Sequence, residues 1–252
     1  MERLIEAIQE IPEVAELLRS AESGGCPAAM TGLGPVHRAH MGAALLRGGA
    51  SALLALCADE GEARRMAADL QAFTGEEAVV LPGREFRFHP AAVTSRGWEE
   101  QRLAALYRIA AGEARIIAAT PDALAQRTMP KEQLLSAVRT LRPGDTAEPA
   151  ELAEHLLRCG YSRCEQVEGP GQFALRGGIL DVFGPGMASP VRVEFFCDEV
   201  DAMGAFDTAS QRRTENVKSV LLLPADEVLP EMAEGGAAGL AEIGRASCRE
   251  RV

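Results

Sequence analysis

Three short apolar runs alternate with amphipathic stretches across the first half of the chain, and that alternation limits the fold more than any other feature. The runs are SALLALCAD, which ends in Asp59, AVVLPG and ARIIAATPDAL. Apolar runs of this length bounded by turn residues read as buried parallel strands. Between them, GEARRMAADLQAFTG reads as a helix closed by Gly75, and RGWEEQRLAALYRIAAGE as a helix ending at Gly112. Thr120 and Pro121 form an N-cap and first-turn pair. Ahead of them, Leu4, Ile5, Ile8, Ile11, Val14, Leu17 and Leu18 make a helical stripe broken near Pro12, and a second helix spans about His37 to Leu46. Strands alternating with helices imply an α/β lobe with a parallel sheet covered on both sides.

The pattern changes near Met129 and Pro130. GDTAEPAELAEHLLRCGY reads as a capped helix ending at Gly160, followed mainly by strands at about Gln172–Phe183, Val191–Phe196, Val200–Phe206 and Val217–Leu223. Such a run of strands indicates a smaller α+β domain with an antiparallel sheet. Within it, RGGILDVFGPGMASPVRVEFF reads as two strands joined by a Gly/Pro loop. Alternation puts Val191, Val193 and Phe195 on one face of the second strand, and Arg192, Glu194 and Phe196 on the other. A large aromatic on a polar face needs an explanation.

With 252 residues, 47% of them hydrophobic, the chain can bury one large core or two small ones. Its formal net charge of -11 argues against autonomous duplex binding, which needs clustered cations to displace counterions. Cys26, Cys57, Cys159, Cys164, Cys197 and Cys248 form no Cys-x-x-Cys pair, as expected of reduced thiols in a cytoplasmic protein. No signal peptide or membrane-spanning run is expected. EIGRASCRERV, residues 242–252, resembles the translation of a sequencing-adapter oligonucleotide and is expected to be non-native.

AAMTGLGPVHRAH resembles a phosphate loop that has lost its chemistry. Aligning Gly34 on the second glycine of G-x-x-x-x-G-K-[ST] puts Ala29 at the first, Pro35 at the lysine and Val36 at the hydroxyl, with Gly32 between. Pro35 also lacks an N–H to donate. Two readings stay open: an anion site at a helix N-terminus, or a turn kept for its geometry. His37 and His40 are spaced to share a metal, but no third ligand is suggested, and His89 and His155 are the other imidazoles. No catalytic group or metal ligand set is expected. Asp198, Glu199 and Asp201 read as turn or edge charges.

SRGWEEQRLAALYRIAAGEARIIAATPDAL, GYSRCEQVEGPGQFALRGGILDVF and VRVEFFCDEVDAMGAFDTASQRR with the later LLLPADE together resemble the N-terminal UvrB-like module of bacterial transcription-repair coupling factors. The resemblance implies a RecA-like lobe with a degenerate phosphate loop over residues 1–127. It implies an inserted UvrA-binding α+β domain over 128–220 and a truncated return segment over 221–241. It also implies that Arg176, Arg192 and Phe196 face UvrA on a β-hairpin. The alternatives are an edge arginine at Arg176, an ordinary cross-strand ion pair at Arg192, and core packing for Phe196. In the family, ATP, magnesium, duplex DNA and RNA polymerase are engaged by domains outside this stretch, whose own expected state is monomeric and without cofactor. The other functional reading is a nucleotide-dependent helicase subunit of the UvrB type. The sequence here departs from UvrB at Pro35 and Val36, and in having only Tyr107 and Tyr161 as tyrosines. Cys197 departs from the Asp or Gly usual at that turn.

Overall fold

The computed structural model describes residues 2–24, 27–84, 97–232 and 236. Cys26, His89, Cys248 and the stretch 242–252 lie outside them. The chain divides into two compact units, one within Met1–Val93 and Ala111–Arg127, the other within Thr94–Ala110 and Thr128–Val252.

The first unit opens with helices α1 (Glu2–Gln9) and α2 (Pro12–Glu22), with Pro12 in the first turn of α2 rather than inside one long helix. α3 (Pro35–Arg47) and α4 (Glu60–Thr74) flank strand β1 (Leu53–Leu56). Asp59 caps α4 by accepting from the Glu62 amide at 2.7 Å. Strands β2 (Ala78–Leu81) and β3 (Ile116–Ala119) complete a parallel sheet in the order β1-β3-β2. β3 leads into α6 (Pro121–Ala125), capped by Thr120. One sheet face carries Leu53, Ala55, Ile116, Ala118 and Ala78, and packs against Ala39, Leu46, Ala63, Ala67 and Leu70 of α3 and α4. The other face is covered unevenly. Val79, Leu81 and Ala119 are buried, but Leu54 and Leu56 on β1 are 50% and 62% exposed. Among the described residues the expected two-sided cover therefore does not reach β1.

The second unit contains α5 (Gly97–Ala110), α7 (Lys131–Ala137), β4 (Arg139–Leu141) and α8 (Pro149–Arg158). α5 falls within the stretch 1–127, yet it packs here. Its Leu106 and Ala110 join the larger core, and its fully buried Arg102 donates from Nε to Glu227 Oε2 at 2.9 Å. A six-stranded sheet follows in the order β10-β9-β8-β7-β6-β5. Its strands are β5 (Ser162–Arg163), β6 (Gln172–Arg176), β7 (Ile179–Phe183), β8 (Val191–Phe196), β9 (Glu199–Phe206) and β10 (Arg213–Asn216). All pairings are antiparallel except β5 with β6. β11 (Val220–Leu222) pairs antiparallel with β4. Leu152, Leu156, Phe173, Leu180, Val182, Val191, Val193 and Val200 form the core between α8 and one face of the sheet. Tyr161 is buried there and donates from its hydroxyl to the Leu223 carbonyl at 2.6 Å. α8 starts on Pro149 with no side-chain N-cap, and it closes, as expected, at Gly160, whose φ is +86°.

Candidate functional site

The run Gln172–Phe183 is two strands, because Gly177 and Gly178 turn the chain between paired Arg176 and Ile179. Gly177 has φ +58°, as a two-residue hairpin loop requires at its first central position. Gly178 lets β8 approach: the Phe195 amide donates to its carbonyl at 2.7 Å, and a Cβ there would lie 2.9 Å from the Phe195 oxygen.

The face of this sheet turned away from the α8 core carries the candidate site. Along β8, Val191 and Val193 are buried in that core and Phe195 packs partly against it. Arg192, Glu194 and Phe196 take the other side, and Phe196 is 76% exposed. Register places Asp181 of β7 opposite Arg192, and Ile179 opposite Glu194. Asp181 is only 1% exposed. Arg192 grips it twice, Nε to Oδ1 at 2.6 Å and Nη2 to Oδ2 at 2.9 Å, while Arg176 Nη2 donates to Oδ2 at 2.7 Å. Both guanidinium groups therefore converge on one buried carboxylate, the arrangement a charge needs when it leaves water. The Arg192 guanidinium also lies over the Phe206 ring, 4.9 Å from its centroid. Hydrogen bonding to Asp181 and its charge raise the Arg192 pKa above the ordinary guanidinium value.

From base to tip, the face changes character. At the base, Val167, Ala174 and Phe206 form a small second core, with Cys164 and Phe183 beside them. The clamped pair Arg192–Asp181 comes next. Beyond it lie Arg176, whose side chain is 54% exposed, and Ile179, 39% exposed, and then Phe196. The structure thus brings Arg176, Arg192 and Phe196 onto one sheet face. Sequence reasoning missed Asp181, although a lone carboxylate inside the apolar run ILDVF was a usable signal.

The β8–β9 turn is Cys197 and Asp198, between paired Phe196 and Glu199. Cys197 takes φ +55°, a left-handed conformation unusual outside Gly, Asn and Asp. The tip is braced from outside the hairpin: the Ala147 amide donates to the Asp198 carbonyl at 2.7 Å and the Val200 amide to the Asp145 carbonyl at 2.9 Å. Asp201 is an extra residue on β9, since pairing moves from Glu194–Ala202 to Phe195–Val200.

In the first unit, Gly34 is the residue before α3 and Pro35 its first helical residue, with no side-chain cap. Gly32 has φ +79°, and Ala29, Gly32, Pro35 and Val36 are exposed. No strand runs through residues 27–34, so the strand-to-helix setting of a phosphate loop is missing ahead of α3. In the first turn, Arg38 is engaged by Glu62 at 2.8 Å. Pro35 and Val36 stand where a phosphate loop carries its lysine and hydroxyl, and Pro35 has no N–H to donate. His40 stacks on Phe73 with ring centroids 4.7 Å apart and hydrogen-bonds the Leu4 carbonyl at 2.8 Å, a packing role. Among the described residues no group of three His, Cys, Asp or Glu is placed to hold a metal, and no helix is long and apolar enough to cross a membrane.

Residues 140–228 match the model of the UvrB interaction domain, a range that contains the whole sheet face described above. The chain is also similar to curated proteins named transcription-repair-coupling factor. It is 34% identical to that of Bacillus subtilis over 67% of this chain and 14% of the relative. For Myxococcus xanthus the figures are 33%, 79% and 17%. For Escherichia coli they are 29%, 71% and 16%. The chain spans about one sixth of the length of these relatives.

Proposed function

We propose that this chain, which belongs over residues 140–228 to the UvrB interaction domain family, is a coupling-factor segment that captures UvrA on the β7–β8–β9 sheet face. The observation that carries the reading is Phe196, 76% exposed on the same sheet face as two guanidinium groups held by Asp181. An aromatic and arginines held at an exposed strand end match the residue types that dominate binding energy at protein interfaces. Because Asp181 holds the arginines before docking, little of their side-chain entropy is left to lose. Arg192 acts chiefly by shaping the face. Arg176 keeps half of its side chain open to the partner.

The layout proposed for the chain has a RecA-like lobe at 1–127 (less α5, which packs with the second unit), the UvrA-docking domain at 128–220 and a return segment at 221–241. No chemistry is assigned to this stretch. The whole protein is proposed to be an ATP-dependent DNA translocase that displaces stalled RNA polymerase, with its nucleotide, duplex and polymerase contacts made elsewhere. The helicase-subunit reading has no support at Pro35 and Val36.

The test is capture of purified UvrA by immobilised chain, wild type against Phe196→Ala and Arg176→Ala. Phe196→Ala should cost about 2 kcal/mol or more, a loss of roughly 30-fold in affinity. Capture by Phe196→Ala at the wild-type level would remove the assignment.

A further inference from the structure

Arg213 stands on the edge strand β10, but its side chain does not stay there. It crosses β9 at Gly204, where an added Cβ would overlap Arg213 Nε and lie 2.7 Å from its Cζ. At the far end Nη1 donates to Glu194 Oε1 on β8 at 3.2 Å, and Nη2 donates to the Met203 carbonyl at 2.5 Å. Gly204 pairs with Arg192, so the crossing lies on the same face as the Asp181 clamp, and Glu194 is two residues from Phe196 on that face.

The bond to the Met203 carbonyl anchors the arm, but the ion pair at its end adds little stability. The Arg213 and Glu194 side chains are 36% and 40% exposed, and ion pairs so open to water contribute little. Extending a long side chain over a neighbouring strand also costs rotamer freedom. The arrangement does hold a third guanidinium, still partly open to solvent, on the sheet face that carries the exposed aromatic. It does so from a strand that alternation along β8 does not reach.

We infer that the docking face extends across β9 to Arg213, and that the partner meets this guanidinium with an acidic side chain on the β9 side of β8, across the sheet from Arg176. The inference rests on the docking reading above. Gly204 is then a positioning residue: its missing side chain is the track along which Arg213 reaches the face.

Binding of purified UvrA is titrated at several salt concentrations with the wild-type chain and with Arg213→Ala, Arg213→Lys, Gly204→Ala and Phe196→Ala. Arg213→Ala is expected to weaken binding roughly tenfold, as loss of a charged hydrogen bond does, and to flatten its salt dependence. Arg213→Lys should keep the salt dependence. Gly204→Ala should weaken binding while Arg213 is present and add nothing once Arg213→Ala is made. If Gly204→Ala fails to fold, the Arg213 pair of variants decides alone. Wild-type affinity and salt dependence in Arg213→Ala, with binding lost in Phe196→Ala, would overturn this inference and leave the docking reading standing. A wild-type chain that does not bind UvrA, or Phe196→Ala that binds fully, would overturn both.

Discussion

Asp181 decides what substitutions at the candidate site can report. Read from sequence, Arg192 is a polar-face arginine, and Arg192→Glu is expected to abolish docking without changing the fold. The clamp changes that expectation. Glutamate at 192 would put a second carboxylate against one that is 1% exposed, leaving Arg176 as its remaining cation. Stranding a buried charge costs about 3–5 kcal/mol, and the partial exposure of Arg192 puts this case near the lower end. At about 2–4 °C per kcal/mol for a chain of this size, Arg192→Glu should lower the melting temperature by roughly 6–12 °C. Thermal melts followed by circular dichroism check this, and an unchanged melting temperature would show that Asp181 does not depend on the pair. Arg176→Ala, at a half-exposed position, is the cleaner docking variant. Alternation correctly separated Arg192 and Phe196 from Val191 and Val193, because β8 keeps its period of two. Arg176 could not be assigned a face by counting, since the Gly177–Gly178 turn next to it interrupts the strand. Asp181 escaped notice because its partner is 11 residues away and only strand register brings them together.

At the scale of the element, the β8–β9 hairpin places Phe196, and Cys197 is its weak point. A left-handed non-glycine residue costs about 1–2 kcal/mol. The brace from the 145–147 segment helps hold the turn in place. Cys197→Gly, which takes φ +55° without strain, should therefore raise stability by about 1 kcal/mol or slightly less, because glycine also gains freedom in the unfolded chain. Urea unfolding at constant slope measures it, and a lower midpoint for the variant would show that the turn is not strained. The departure at Cys197 was visible in the sequence, but its consequence needed the backbone angle. Element types were read well where apolar runs were short and bounded, as at β1, β2 and β3. The cover of a sheet was not. The β1 residues Leu54 and Leu56 look like core in the sequence, yet α3 and α4 pack on the opposite face, and only β2 and β3 have buried residues on this side.

For the molecule as a whole, the second unit carries a titratable group that should set its acid limit. His155 on α8 lies in the core layer, and its Nε2 hydrogen-bonds the Ala137 carbonyl at 2.8 Å, with Cys159 Sγ 3.4 Å away. Burial lowers the His155 pKa from its ordinary value, partly offset by the bond to Ala137, with Arg139 and Arg158 lowering it further. The same burial pushes the Cys159 thiol up to about 11, so it stays protonated and inert. Because the folded state disfavours the imidazolium, the unfolded chain binds the extra proton first. The stability contributed by neutral His155 is therefore complete above the unfolded pKa of about 6.5 and declines as pH falls toward the folded value, by at most about 1.4 kcal/mol per pH unit. His155→Gln can still donate to the Ala137 carbonyl and has no proton to gain. Melting temperatures taken from pH 8 to pH 5 should fall below pH 6.5 more steeply in the wild type than in His155→Gln. Parallel profiles for the two proteins would show that the imidazole is not what limits this unit in acid.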